Sequence, residues 1–203
     1  TFSGCPGGSP EDKTPNWVTC PWPDDFSEIL EYQWNDVLIP YWKEKVAFAK
    51  AHNVHKIALE LHPGFCVYNT RSLLKLREAV GPEIGANLDP SHLIWMGADP
   101  IHSARALGDA IHHCHGKDTR IERGRADVDG LWELREVTDV ANRTWNYVAV
   151  GAGKDLAWWK EFFSVVRMMG YDDWVSLEME DFTMSTEAGI RSSIAALQMT
   201  ISR

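Results

Sequence analysis

A chain of 203 residues that is 44% hydrophobic and 24% charged holds enough apolar material for a sizeable core, which excludes a disordered polypeptide. Its formal net charge of -9 at pH 7 speaks against a nucleic-acid surface, because phosphate binding needs clustered Lys and Arg. The cysteines, Cys5, Cys20, Cys66 and Cys114, form no CxxC pair, and no apolar run approaches the ~20 residues of a membrane helix, so free thiols, a cytoplasmic setting and no membrane partner are expected.

Residues 1–5, TFSGC, alternate like a strand that opens the chain. Residues 6–25 are dense in Pro, Gly, Ser and Asp and predict a long loop, whose Trp17 and Trp22 line a sugar pocket, form an interface or simply pack the loop. A helical period covers 26–51, with Leu38, Trp42, Val46 and Ala49 on one side and a kink or restart expected at Pro40. Asn53 stands where a left-handed cap belongs, and 55–63, HKIALELHP, predicts a strand with Glu60 and His62 on its polar face. A helix over 70–80 follows, ended by Gly81. Residues 85–97, GANLDPSHLIWMG, predict a strand that stops at Asp89-Pro90, with His92 three positions beyond the acid. Asp89 read alone is equally a turn-capping residue.

Asp99 predicts the start of a helix over 100–107, and AIHHCHG at 110–116 predicts a strand with His113 and His115 on one face. Residues 118–148, rich in Arg, Asp and Glu, are expected to be irregular. GAGK at 151–154 is no phosphate loop, since Val148 stands where such a loop needs Gly and Asp155 replaces the hydroxyl residue. A helix over 155–169 is expected to bury Trp158, Phe162, Val165 and Met169. WVSLEME at 174–180 predicts the fifth strand, with Ser176, Glu178 and Glu180 on one face, before a helix over 185–200.

Strands alternating with helices, short helix-to-strand turns and long strand-to-helix loops predict a parallel α/β architecture with its site on the C-terminal rim. One polar face on each strand favours a barrel mouth over an open doubly wound sheet. The polar residues near the C-terminal ends of four strands are Glu60, Asp89, His115 and Glu178. Three carboxylates with one imidazole suit a divalent ion such as Mn²⁺, Mg²⁺ or Co²⁺, and without a cation the acids would repel. Glu178 and Glu180 share a parity, so periodicity does not choose between them.

ALELHPG, NLDPSH, HCHGKD and SLEMED resemble the corresponding motifs of the sugar phosphate isomerase/epimerase group within the xylose isomerase-like barrels. The resemblance implies that Glu60, Asp89, His115 and Glu178 bind one divalent metal ion, Mn²⁺ first and Mg²⁺, Co²⁺ or Zn²⁺ after it. It further implies that Glu60 and Glu178 act as acid and base beside a carbonyl, through a metal-stabilised enediolate. His92, His62 and Lys117 are the expected substrate contacts, and Lys117 departs from the Gly-Glu of the sugar epimerases. The implied activity is isomerisation or epimerisation of a sugar or sugar phosphate. The alternatives are dehydration of an inosose or keto-acid, a non-catalytic sugar- or metal-binding module and, against the charge balance, an apurinic endonuclease-like enzyme.

The resemblance places TFSGCPG at the fourth strand of a (β/α)₈ barrel, so residues 1–203 are expected to form one domain holding strands 4 to 8. Unpaired sheet edges in such a piece invite association, and a longer parent protein or a homo-oligomer is expected.

Overall fold

Alternating residues over Ile57–Glu60 (β1) and Ile84–Leu88 (β2) form parallel strands in register from Ile57↔Ile84 to Glu60↔Asn87. β1, and β2 as far as Asn87, belong to the first of two units, Thr1–Asn87 and Leu88–Arg203, in a computed structural model that describes residues 1–201.

In the first unit, residues 1–5 are not assigned as a strand, yet they follow β1. The Thr1 N-terminus donates to Ala58 O at 3.1 Å, and Glu60 N donates to Thr1 O at 2.9 Å. Ser3 is buried, its Oγ accepting from Val67 N and its carbonyl from Trp42 Nε1. The loop that follows is pinned by buried Gln33, whose Nε2 donates to the carbonyls of Pro6, Gly7 and Asn16. Trp17 meets Tyr68 edge-on at 5.5 Å, whereas Trp22 is exposed.

The expected helix over 26–51 is α1 (Asp25–Glu31), a π-helical segment (Tyr32–Leu38) and α2 (Ile39–Ala51). Pro40, which has no N–H to give a regular ladder, falls at the restart, and the Ile39 N–H reaches back to Trp34 O in the wider turn. Trp42 and Val46 are buried as the period requires, and Asn53 is left-handed at φ 61°. Helix α3 (Thr70–Val80) begins at Asn69, which exchanges hydrogen bonds with Ser72, and buries Leu73 and Leu76.

In the second unit, α4 (Pro90–Trp95) starts at Pro90 and α5 (Pro100–Leu107) at Pro100, each with an Asp as its cap. Strands β3 (Ile111–Gly116) and β6 (Val175–Leu177) run parallel, with His115 opposite Ser176. The stretch 118–148 is not irregular. Strands β4 (Asp118–Ile121) and β5 (Trp145–Val148) pair antiparallel, and α6 (Arg123–Asp129) lies between them. The pairing spans a charged insert, so no short turn announces it. Glu133 ties the insert down, its carboxylate accepting from the backbone N–H of Arg135 and of Thr144.

Helix α7 (Leu156–Met168) packs against α5 and α8 (Thr186–Thr200). Phe162 and Val165 are buried as expected, joined by Trp159, Phe163 and Val166, whereas Trp158 and Met169 are half-buried and Trp158 stacks on Phe162. The N–H groups of residues 151–154 meet an anion from within the chain. Buried Asp118 accepts from Gly151 N, Gly153 N and Lys154 N, and from Trp159 Nε1. Burial raises the Asp118 carboxyl pKa against these donors. Gly153 is required here, because a Cβ would lie 2.3 Å from Thr119 O.

Candidate metal centre

Asp89 is the pivot of the site. Pro90 disfavours helix at Asp89, leaving it extended at φ -96°, ψ 111° at the end of β2. Its Oδ1 accepts from Ser91 N at 2.8 Å and caps α4, so the turn-capping reading holds. Its Oδ2 lies 3.5 Å from His92 Nε2 and 3.5 Å from His115 Nδ1, and it is buried without a hydrogen-bond partner. One carboxylate therefore serves a helix with one oxygen and faces a cluster with the other.

His115 and Glu178 reach that cluster from adjacent parallel strands. His115 stands opposite Ser176, and Glu178 follows two residues later, just past β6, with its N–H on Gly116 O at 3.3 Å. His115 Nδ1 is 3.1 Å from Glu178 Oε2. One ligand atom each from Asp89, His115 and Glu178 lies within 4.8 Å of the others.

The charges fit together. Burial raises the Asp89 carboxyl, but His92, His115, Lys117 and Ser91 together hold it well below the usual carboxylate range. The His115 hydrogen bond and the Lys117 ammonium, against burial, hold Glu178 down at about 2. Lys117 is 3% exposed, and its Nζ is 2.8 Å from Glu178 Oε1 and 2.8 Å from Glu180 Oε2. Burial lowers its pKa, while Asp89, Tyr147 and the two glutamates raise it further. Glu178 and Glu180, indistinguishable by parity, are separated by their partners: Glu178 meets both His115 and Lys117, whereas Glu180 meets Lys117.

His92 is fully buried, with Nδ1 3.0 Å from the Tyr147 hydroxyl. Tyr147 also lies under Lys117, whose Nζ is 4.2 Å from the ring centroid. The sequence reading missed Tyr147, although Trp145 and Tyr147 alternate on one face of β5, and Trp145 stacks on Trp95 at 4.6 Å. Glu60 and His62 belong to the first unit. Glu60 closes β1 and is 8% exposed. The chain turns directly after it, so His62 no longer follows the strand alternation; its Nδ1–H donates to Pro63 O, and its ring packs edge-on against Phe2 and Phe65.

A buried carboxylate oxygen without a hydrogen-bond partner, with an imidazole nitrogen and a second carboxylate within 4.8 Å, is a donor set that fits a divalent cation. Among the described residues no helix is long and apolar enough to cross a membrane.

A family model described as xylose isomerase-like TIM barrel matches residues 14–199. The uncharacterized protein YfiH of Bacillus subtilis (strain 168) is 64% identical over 204 residues, which is 100% of this chain and 65% of that protein. The inosose dehydratase of Clostridium tetani (strain Massachusetts / E88) is 27% identical over 153 residues, 75% of this chain and 49% of that protein. The chain thus spans about half to two thirds of the length of the curated relatives it matches. Among solved structures, the probable 3-DHS dehydratase AsbF of Bacillus anthracis is 25% identical with a TM-score of 0.58, over 87% of this chain and 58% of that one. The IolI protein, solved with a zinc atom, also gives 0.58, at 21% identity over 86% of this chain and 57% of that one. At that identity IolI shows the fold alone.

Proposed function

The chain belongs to the xylose isomerase-like TIM-barrel family, and from that premise we propose that it is a divalent-metal-dependent enzyme that removes a proton from the carbon beside a carbonyl in a sugar or sugar-derived substrate. The observation that carries this reading is the Asp89, His115 and Glu178 cluster, with its donorless buried oxygen. Glu60 is proposed as the fourth ligand. Its support is its burial at the end of β1 and its register opposite Asn87, two residues before Asp89 in the chain.

When bound, the ion supplies Lewis acidity to the carbonyl and the adjacent hydroxyl. The chain's own groups do the rest. Glu178, its pKa held at about 2 by His115 and Lys117 against burial, is a carboxylate at neutral pH, and it is the proposed base. Glu60 is the proposed partner that returns it. His92, held by the Tyr147 hydroxyl, and His62 are proposed to orient substrate oxygens. Mn²⁺ is the proposed metal, with Mg²⁺, Co²⁺ and Zn²⁺ as alternatives.

Return of the proton to the opposite face or to the neighbouring carbon gives an epimerase or isomerase. Loss of a β-hydroxyl after the same first step gives a dehydratase. The second outcome draws support from the likeness to an inosose dehydratase at 27% identity and to the probable dehydratase AsbF at 25%. The test is proton NMR in D₂O with added Mn²⁺ on a panel of ketoses, inososes and keto-acids. Deuterium at the α-carbon of one substrate is expected, with a conjugated-enone absorbance if water is lost. Metal and ligand binding with no exchange on any of the panel would leave a binding module and overturn the enzyme reading.

A further inference from the structure

Lys117 has an arrangement that a substrate contact does not need. It sits in β3's continuation beside the ligand His115, it is 3% exposed, and its ammonium is bonded at 2.8 Å to each of two carboxylates. The Tyr147 ring lies 4.2 Å away and closes another side. The two oxygens of Glu178 are divided: Oε1 receives Lys117, and Oε2 faces His115 at 3.1 Å.

We infer that Lys117 is a positioning residue that makes Glu178 a one-oxygen metal ligand, with Glu180 anchoring the ammonium from the far side. This rests on the metal centre proposed above. A carboxylate that grips a cation with both oxygens must turn both towards it, and the Lys117 bond commits Oε1 elsewhere. Glu180 matters because it offers the ammonium a second partner that is not part of the metal cluster. The held rotamer leaves coordination positions on the ion for two substrate oxygens, which the proposed chemistry requires. Lys117 thereby acts on substrate through Glu178 and not by touching it.

The charge and the geometry of Lys117 predict opposite signs. Lys117→Met removes a positive charge beside a cation site, so charge alone makes metal binding tighter. Loss of positioning makes it weaker, by about 10–100-fold, as for other groups that orient a metal ligand. Calorimetric titration of the metal-free protein with Mn²⁺ and with Co²⁺ reads the affinity, and the visible spectrum of the Co²⁺ form reads the ligand geometry. Weaker binding with an altered Co²⁺ spectrum in Lys117→Met is expected. Equal or tighter binding with the parent spectrum overturns the inference while leaving the metal centre standing. If Lys117→Met lacks the parent near-ultraviolet circular dichroism, Lys117→Arg decides, since it keeps the charge and moves the donors. An altered Co²⁺ spectrum is then expected, and an unaltered one overturns the inference. A parent protein that takes up neither metal overturns this inference together with the centre it rests on.

Discussion

Replacing Asp118 by Ala tests the knot that holds the segment after β5 against β4. Its carboxylate accepts from the backbone N–H groups of Thr119, Gly151, Gly153 and Lys154 and from Trp159 Nε1, and Ala leaves all of these donors without that acceptor. At roughly 1 kcal/mol of net stability for each such bond the gross loss is about 5 kcal/mol. Part of this returns, because burial of the charged carboxylate, which raises its pKa, is itself unfavourable. The expected net loss is about 3 kcal/mol, or a melting temperature lower by about 6–12 °C in a domain of this size. Urea unfolding followed by near-ultraviolet circular dichroism, with a chelator present so that no ion contributes, measures it as a lower midpoint at an unchanged slope. A loss below about 1 kcal/mol would mean that these donors find water or other acceptors as readily as the carboxylate, and the reasoning would be refuted.

Asp89→Ala removes the buried oxygen at the centre of the cluster, and Mn²⁺ affinity measured by titration is expected to fall by at least ~100-fold; unchanged affinity rules Asp89 out as a ligand. Gly153→Ala puts a methyl group 2.3 Å from Thr119 O and should reproduce much of the Asp118→Ala loss in the same urea experiment. Glu133 has a pKa held at about 2, below its usual 4.5, as Arg135 and the Thr144 N–H outweigh burial. A depressed carboxylate contributes stability above pH 4.5 that is lost as pH falls towards about 2, so acid unfolding of Glu133→Gln should be flatter across that window than the parent's. Metal at about 100 times its dissociation constant should stabilise the protein by about 2.7 kcal/mol, seen as a melting shift that EDTA reverses.

The parts of the site that were legible in the sequence are those fixed by local rules. A strand that runs into Asp-Pro must stop, so Asp89 at a strand end followed from Pro90 alone. Parity placed His115 and Glu178 on matching faces, and the parallel β3 and β6 pairing realises it. What escaped depends on partners far along the chain. Trp145–Val148 looked like loop because its pairing strand lies beyond a charged insert, and with it went Tyr147, whose role comes from His92 and Lys117. On α7 the period finds Phe162 and Val165 but not Trp159, since Trp158 and Trp159 are equally apolar and only packing selects Trp159 for full burial. The π-helical turn before Pro40 has no sequence period of its own. Nor does composition reveal that the GAGK segment's donors are met by Asp118.

Because a single carboxyl group both caps α4 and faces the proposed metal cluster, no substitution at Asp89 alters one of these duties without touching the other. Asn would keep an acceptor for the Ser91 N–H but present a neutral group to the ion, and a longer acid would place its oxygens one methylene away from the tight loop to Ser91. Withdrawing electron density from one oxygen of a carboxylate weakens the other as an acceptor, so an ion arriving at Oδ2 is felt at Oδ1. The Ser91 amide is therefore a built-in reporter: its proton should exchange with solvent at a different rate in the loaded and empty protein, although it touches no ligand.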